Sequence, residues 1–103
     1  MKIIVLFNLK PDADEAAYHD WAKTVDLPGV NALTSVDQFG VFKTAGLLGS
    51  DGAPSVQYVE IIDVNDMEAF GAQTSTEAFQ KVAGAFGEFA DNPEFILLSL
   101  IHI

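Results

Sequence analysis

A chain of 103 residues with half its side chains apolar fits one domain and can bury a hydrophobic core without disulfide or metal staples. Five lysines and no arginine stand against fifteen acidic residues, a net charge of −10. That balance argues against nucleic acid and anionic membrane surfaces as partners, and the absent guanidinium removes the planar clamp for phosphate or carboxylate. No cysteine is present, so disulfides, thiolate metal sites and thiol nucleophiles are all excluded, and a reducing compartment fits. The apolar run Ile3-Ile4-Val5-Leu6-Phe7 is too short for a signal peptide, and the run over 95–101 is far below the ~20 residues of a spanning helix. The expectation is a soluble, cytoplasmic protein.

Residues 2–9 form the first β-rich run. Asp12-Ala13-Asp14-Glu15 then opens a helix, with Asp12 as cap and Glu15 as its reciprocal partner. Its apolar stripe is Tyr18, Trp21, Ala22 and Val25, and Pro28-Gly29 should stop it. Two further β runs, 36–45 and 56–64, flank a long Gly-rich loop containing the pair Leu47-Leu48. Asn65-Asp66-Met67-Glu68 starts a short helix. Thr74-Ser75-Thr76-Glu77 is a third capping box, opening a helix whose Phe79, Val82, Phe86 and Phe89 recur at helical spacing and read as packing. Asp91-Asn92-Pro93 ends it, and residues 94–103 form the last strand. The order is β-α-β-β-α-β: an α+β, ferredoxin-like fold with a four-stranded antiparallel sheet.

The first and last strands are apolar on both faces: Ile3, Val5 and Phe7 oppose Ile4 and Leu6. Two helices cover one face only, and an antiparallel sheet with one wet face would alternate apolar with polar. The uncovered face therefore needs an apolar partner, and a second copy of the same sheet supplies one. A homodimer packed sheet on sheet is expected.

Among polar residues, Tyr58, Glu60 and Ile62 share one face of the third strand. An unpaired carboxyl buried there has its pKa raised, which suits a general acid or base; a strand-end or interface position for Glu60 is the bland alternative. His102, near the end of the last strand, is placed to shuttle a proton beside Glu60 or Tyr58, or else is an idle terminal residue. His19 shares a helix face with Glu15 and Lys23 and reads as exposed. Asp26 opposes the helix dipole at a helical exit, so it either serves the loop or serves a site. Asn8 interrupts the first strand and can orient a ligand or simply close the strand end. Tyr18 and Trp21 offer an aromatic wall, with Phe42 of the second strand as a further contact, unless the stripe is only core. Two distant histidines give no metal-ligand spacing, and no phosphate loop, dinucleotide fingerprint or nucleophile elbow occurs, so neither metal nor cofactor is expected.

Residues 25–33, Val-Asp-Leu-Pro-Gly-Val-Asn-Ala-Leu, running into Val36-Asp37-Gln38-Phe39, resemble a segment of the dimeric α/β barrel superfamily. Members often carry a histidine before the x-Pro step where this chain has Asp26, so a histidine-based mechanism or haem ligation is not carried over. The chain as a whole is similar to REDY-like, HapK-type proteins, on residues 1–12, 58–67 and 89–96. That resemblance implies a role in making prodigiosin-type tripyrrole pigments, with a pyrrole-like intermediate as ligand. Three functions follow as expectations. The leading one is a protein promoting cyclisation or dehydration, with Glu60, Tyr58, His102 and Asp26 moving protons and Asn8 and Trp21 orienting the ligand. The others are a non-catalytic carrier or assembly partner for pathway synthases, and a cofactor-free monooxygenase.

Overall fold

The computed structural model describes residues 1–101. Strands β1 (Lys2–Leu9), β2 (Val36–Lys43), β3 (Tyr58–Val64) and β4 (Ala90–Leu98) pair antiparallel in the order β2-β3-β1-β4. This is the ferredoxin-like arrangement, with the two most apolar runs where the sheet is most enclosed. In register, Val5 lies opposite Glu60 on one side and Phe95 on the other, and Val41 lies opposite Glu60 from β2. Glu60 is therefore a mid-sheet residue, and the strand-end alternative falls.

The pleat sorts the strands cleanly. Ile3, Val5 and Phe7 of β1 and Tyr58, Glu60, Ile62 and Val64 of β3 are buried under the helices. Phe7 stacks on Tyr58 at 5.4 Å and meets Tyr18 and Phe86 edge-on, joining sheet to helices in one aromatic core. The opposite face carries Ile4, Leu6, Phe42, Val59, Ile61 and Ile96, and no element among the described residues covers it.

The first helical segment is continuous from Glu15 to Asn31 but not uniform. Helix α1 (Glu15–Trp21) passes into a π turn (Ala22–Asp26) and then into α2 (Leu27–Asn31). Pro28 was expected to stop the helix. It is instead accommodated in the first turn of α2, because the wider π winding lets the Leu27 N–H bond to the Ala22 carbonyl and tolerates a residue without a donor. Asn31 then fastens the end of α2 to β2, accepting from the Phe39 N–H at 3.0 Å and donating to its carbonyl at 3.1 Å.

Helices α3 (Met67–Thr74) and α4 (Glu77–Phe89) complete the layer. The caps are Asp14, Asp66 and Thr76, each accepting from a backbone N–H of the first turn. Asp12 and Thr74 were the expected first and third caps; each lies two residues too early, because segments rich in Asp, Ser and Thr offer the same spacing more than once. β4 begins at Ala90, so Asp91-Asn92-Pro93 lies inside the strand rather than before it. Asn92 adopts a left-handed φ of 47°, and the pairing with β1 shifts between Leu6 and Asn8. A bulge here accommodates Pro93, which has no N–H to give to the ladder. Among the described residues no helix is long and apolar enough to cross a membrane.

Candidate functional site

A cavity of about 250 Å³ lies between the helix-covered face of the sheet and α3 and α4. Its floor is Ile3, Phe39, Glu60 and Ile62; α4 roofs it with Phe79, Val82 and Phe86; Asp26 and Val30 close one side. The cavity exists because α4 buries none of its residues fully: its phenylalanines arch over the sheet without filling the space beneath.

Two carboxyls enter this apolar space. Glu60 is 5% exposed, and its Oε2 is buried without a hydrogen-bond partner. The Tyr18 hydroxyl is likewise buried without a partner. It faces Glu60 closely enough to offset part of the carboxyl's rise, but the two do not close a hydrogen bond. Burial, followed by the charge of Asp26, pushes Glu60 up to about 8. Asp26, held in the π turn with no capping bond to make, is pushed up by burial to about 6. Near neutral pH Glu60 therefore holds its proton while Asp26 is ionised, which is an acid and a base side by side in a low-dielectric space. Burial and the neighbouring acids also raise the Tyr18 phenol, so it stays a neutral donor.

A second, polar cluster lies outside the cavity. The Tyr58 hydroxyl donates to Glu15 Oε2 at 2.6 Å, and with that proton committed it accepts from His19 Nε2–H at 2.7 Å. Lys43 completes the chain, 3.0 Å from Glu15. The hydrogen bond from Tyr58, then Lys43, holds the Glu15 carboxyl below its ordinary value.

The structure thus brings together two of the expected proton-transfer residues, Glu60 and Asp26. Tyr58 is not with them: its ring is core, and its hydroxyl turns to Glu15 and His19. Tyr18, expected only as an aromatic wall, brings its hydroxyl to Glu60 instead. His19, expected to be exposed, is half-buried against Tyr58, a contact that its own helix pattern could not reveal. His102 lies outside the described residues. Trp21 packs between Tyr18 and Phe89 and does not line the cavity. Asn8 is a strand-end clasp, accepting from the Gln57 N–H at 2.8 Å while Gln57 accepts from Leu9. Phe42 projects from the opposite sheet face, its ring folded over Gly40, because its pleat position is one residue out of phase with Phe39 and Val41. Phe39, Phe79 and Phe86 were missed as cavity residues. Their spacing is that of ordinary core packing, and nothing in it marks the space they enclose.

The chain matches the family described as REDY-like protein HapK over residues 1–101. It belongs to the REDY-like HapK family. The crystal structure of HapK from Hahella chejuensis is 26% identical, with a TM-score of 0.72 over 96% of this chain and 93% of HapK. A variant of SnoaB, a cofactor-independent oxygenase from Streptomyces nogalater, is 16% identical with a TM-score of 0.73 over 99% of this chain and 93% of its own. A dimeric ferredoxin-like protein of unknown function from Thermobifida fusca is 13% identical, with a TM-score of 0.74 over 96% of this chain and 89% of its own. These last two likenesses are of fold alone. No curated protein matches the chain.

Proposed function

We propose that this HapK-family protein acts in the biosynthesis of a prodigiosin-type tripyrrole pigment, binding a pyrrole-type intermediate under α4 and promoting its cyclisation or dehydration. Family membership supports a role in pigment or antibiotic biosynthesis. The observation that carries the chemistry is the unpartnered Glu60 carboxyl facing an aromatic cavity beside Asp26. At about 250 Å³ the cavity is slightly below the ~300–1,000 Å³ of sites for drug-sized ligands, a size for one or two flat five-membered rings.

In a dehydration, neutral Glu60 gives its proton to the departing hydroxyl, which leaves as water. Ionised Asp26 takes a proton from the ring nitrogen or the adjacent carbon as the new double bond forms. The two carboxyls then exchange their proton through the ligand or solvent, and the phenol of Tyr18 steadies whichever oxygen becomes negative. The phenylalanines of α4 over the cavity reduce the water that can reach the two carboxyls. The functional unit of this reading is a homodimer, its two open sheet faces packed together; neighbours of the same fold are described as dimeric.

Native mass spectrometry of the protein with a bipyrrole carbaldehyde and its open precursor tests both halves. One ligand retained per protomer, with conversion by the wild type and at least about tenfold slower conversion by Glu60→Gln and Asp26→Asn, is the expected result. Ligand retention with unchanged turnover in both variants would remove the acid–base role, and no retention would remove the cavity as the site.

A further inference from the structure

The proton-transfer reading leaves open what charge the bound molecule carries, and the walls of the cavity bear on that question. Five phenylalanines line it: Phe39, Phe70, Phe79, Phe86 and Phe95. Among the described residues its only titratable lining groups are Glu60 and Asp26, two acids with no basic group beside them. Among the described residues the one other titratable group facing Glu60 is the Tyr18 phenol, from α1; the lining contributed by β1, β2, α3 and α4 has no ionisable side chain. None of the five lysines lines it, nor does His19: Lys43 is tied to Glu15, Lys2 to Asp63 and His19 to Tyr58.

Among the described residues such a site offers no positive charge to an anion, and the chain's net charge of −10 adds to the repulsion. For a cation the opposite holds on every side. The negative faces of aromatic rings attract a cation within ~6 Å of their centres, most strongly where water is excluded. A buried carboxyl whose second oxygen has no partner is satisfied by a positively charged N–H or by a cationic ring edge.

We propose that the cavity selects cationic nitrogen heterocycles: its physiological ligand is, or becomes during the reaction, a positively charged iminium or protonated heteroaromatic ring seated among the phenylalanines and paired with Glu60 and Asp26. The inference rests on the cavity being the ligand site. It adds to that reading a rule of admission: cation before neutral isostere, and anions excluded. It also changes what Asp26 does, since an ionised carboxylate beside the ligand stabilises a positive intermediate before it removes any proton. Because Glu60 holds its proton near neutral pH, pairing with a permanent cation displaces that proton to solvent, whereas a ligand that becomes cationic as Glu60 protonates its departing hydroxyl takes the proton itself.

Three probes built on one six-membered aromatic ring separate the alternatives: 1-methylpyridinium, its uncharged isostere toluene, and the anion benzoate. Calorimetric titrations at pH 7 in two buffers of different ionisation enthalpy read affinity and proton release together. Expected are about tenfold or greater preference for 1-methylpyridinium over toluene, no binding of benzoate, and release approaching one proton per cation bound. Glu60→Gln should abolish the release and, with Asp26→Asn, lower the preference; circular dichroism confirms that each variant is folded. Toluene binding as tightly as the cation, or benzoate binding at all, overturns the charge rule while leaving the cavity as a ligand site. If none of the three binds, the cavity reading and the charge rule fail together.

Discussion

Replacing Glu60 by glutamine should make the protein more stable, and by an amount that grows with pH. An unfolded glutamate titrates near its ordinary value of 4.5, whereas in the folded chain burial and Asp26 hold Glu60 up to about 8. Between those values the folded chain keeps a proton that the unfolded chain has released, so stability falls as pH rises through that window and levels off above it. At ~1.4 kcal/mol for each pH unit, the penalty is about 3 kcal/mol at pH 7 and about 5 kcal/mol above pH 8. These are upper figures, because water entering the cavity partly solvates the carboxylate. Against a typical stability of ~5–15 kcal/mol this is a large fraction, and glutamine, which cannot ionise, removes it. Urea denaturation of wild type and Glu60→Gln at pH 4.5, 7 and 9 is the assay. With a slope of ~1–1.5 kcal/mol/M, the variant's midpoint should rise by roughly 2–3 M at pH 7 and by only about 0.3 M at pH 4.5. Curves for the two proteins that stay parallel from pH 4.5 to 9 would refute the claim that Glu60 is held neutral. A variant that is more stable yet less active would show a residue kept for chemistry at the expense of the fold.

Three other outcomes test separate parts of the structure. Tyr58→Phe removes the hydrogen bond that does most to hold Glu15 below its ordinary value, so the Glu15 carboxyl should titrate closer to 4.5 by carbon NMR; an unmoved curve would mean that the contact does not persist in solution. Val59→Asp places a charge at the middle of the open sheet face and should turn a dimer into a folded monomer by light scattering; a monomeric wild type, or a dimeric variant, defeats the sheet-on-sheet assembly. Thr76→Ala deletes the cap that accepts from the Phe79 N–H at 3.2 Å and should lower stability by about 1 kcal/mol in urea, with no loss taken as evidence against the cap.

Much of the fold was legible because strands announce themselves by composition. The two-sided apolar runs at Lys2–Leu9 and in the last strand placed the sheet and its uncovered face, and alternation in β3 put Glu60 on one face with Tyr58 and Ile62, while only the packed helices tell which face that is. Failures cluster where one local pattern supports two outcomes. Pro28 reads as a stop unless a wider turn precedes it, and that turn leaves no mark in periodicity. Asn92 and Pro93 read as a helix end, although a bulge lets a strand absorb both. The site was half legible. A carboxyl in a central strand stands out against its apolar neighbours, and so Glu60 was a candidate from the pattern alone. The partner of a hydroxyl is a matter of tertiary geometry, however, and the exchange of roles between Tyr18 and Tyr58 was beyond any reading of spacing.

The π turn between α1 and α2 has a meaning for descent as well as for shape. Such a turn is an α-helix carrying one extra residue. Loss of a single codon within residues 22–26 would restore regular winding and rotate the segment before it by about 100° relative to the segment after it. Tyr18 or Asp26 could then keep its aim at Glu60, but not both. A lineage on this frame can therefore pass between a cavity with two acids and a cavity with one by a deletion or an insertion, leaving every side chain of the sheet unchanged. Alignments that score substitutions column by column would register that event as a gap in a helix and miss a change of chemistry.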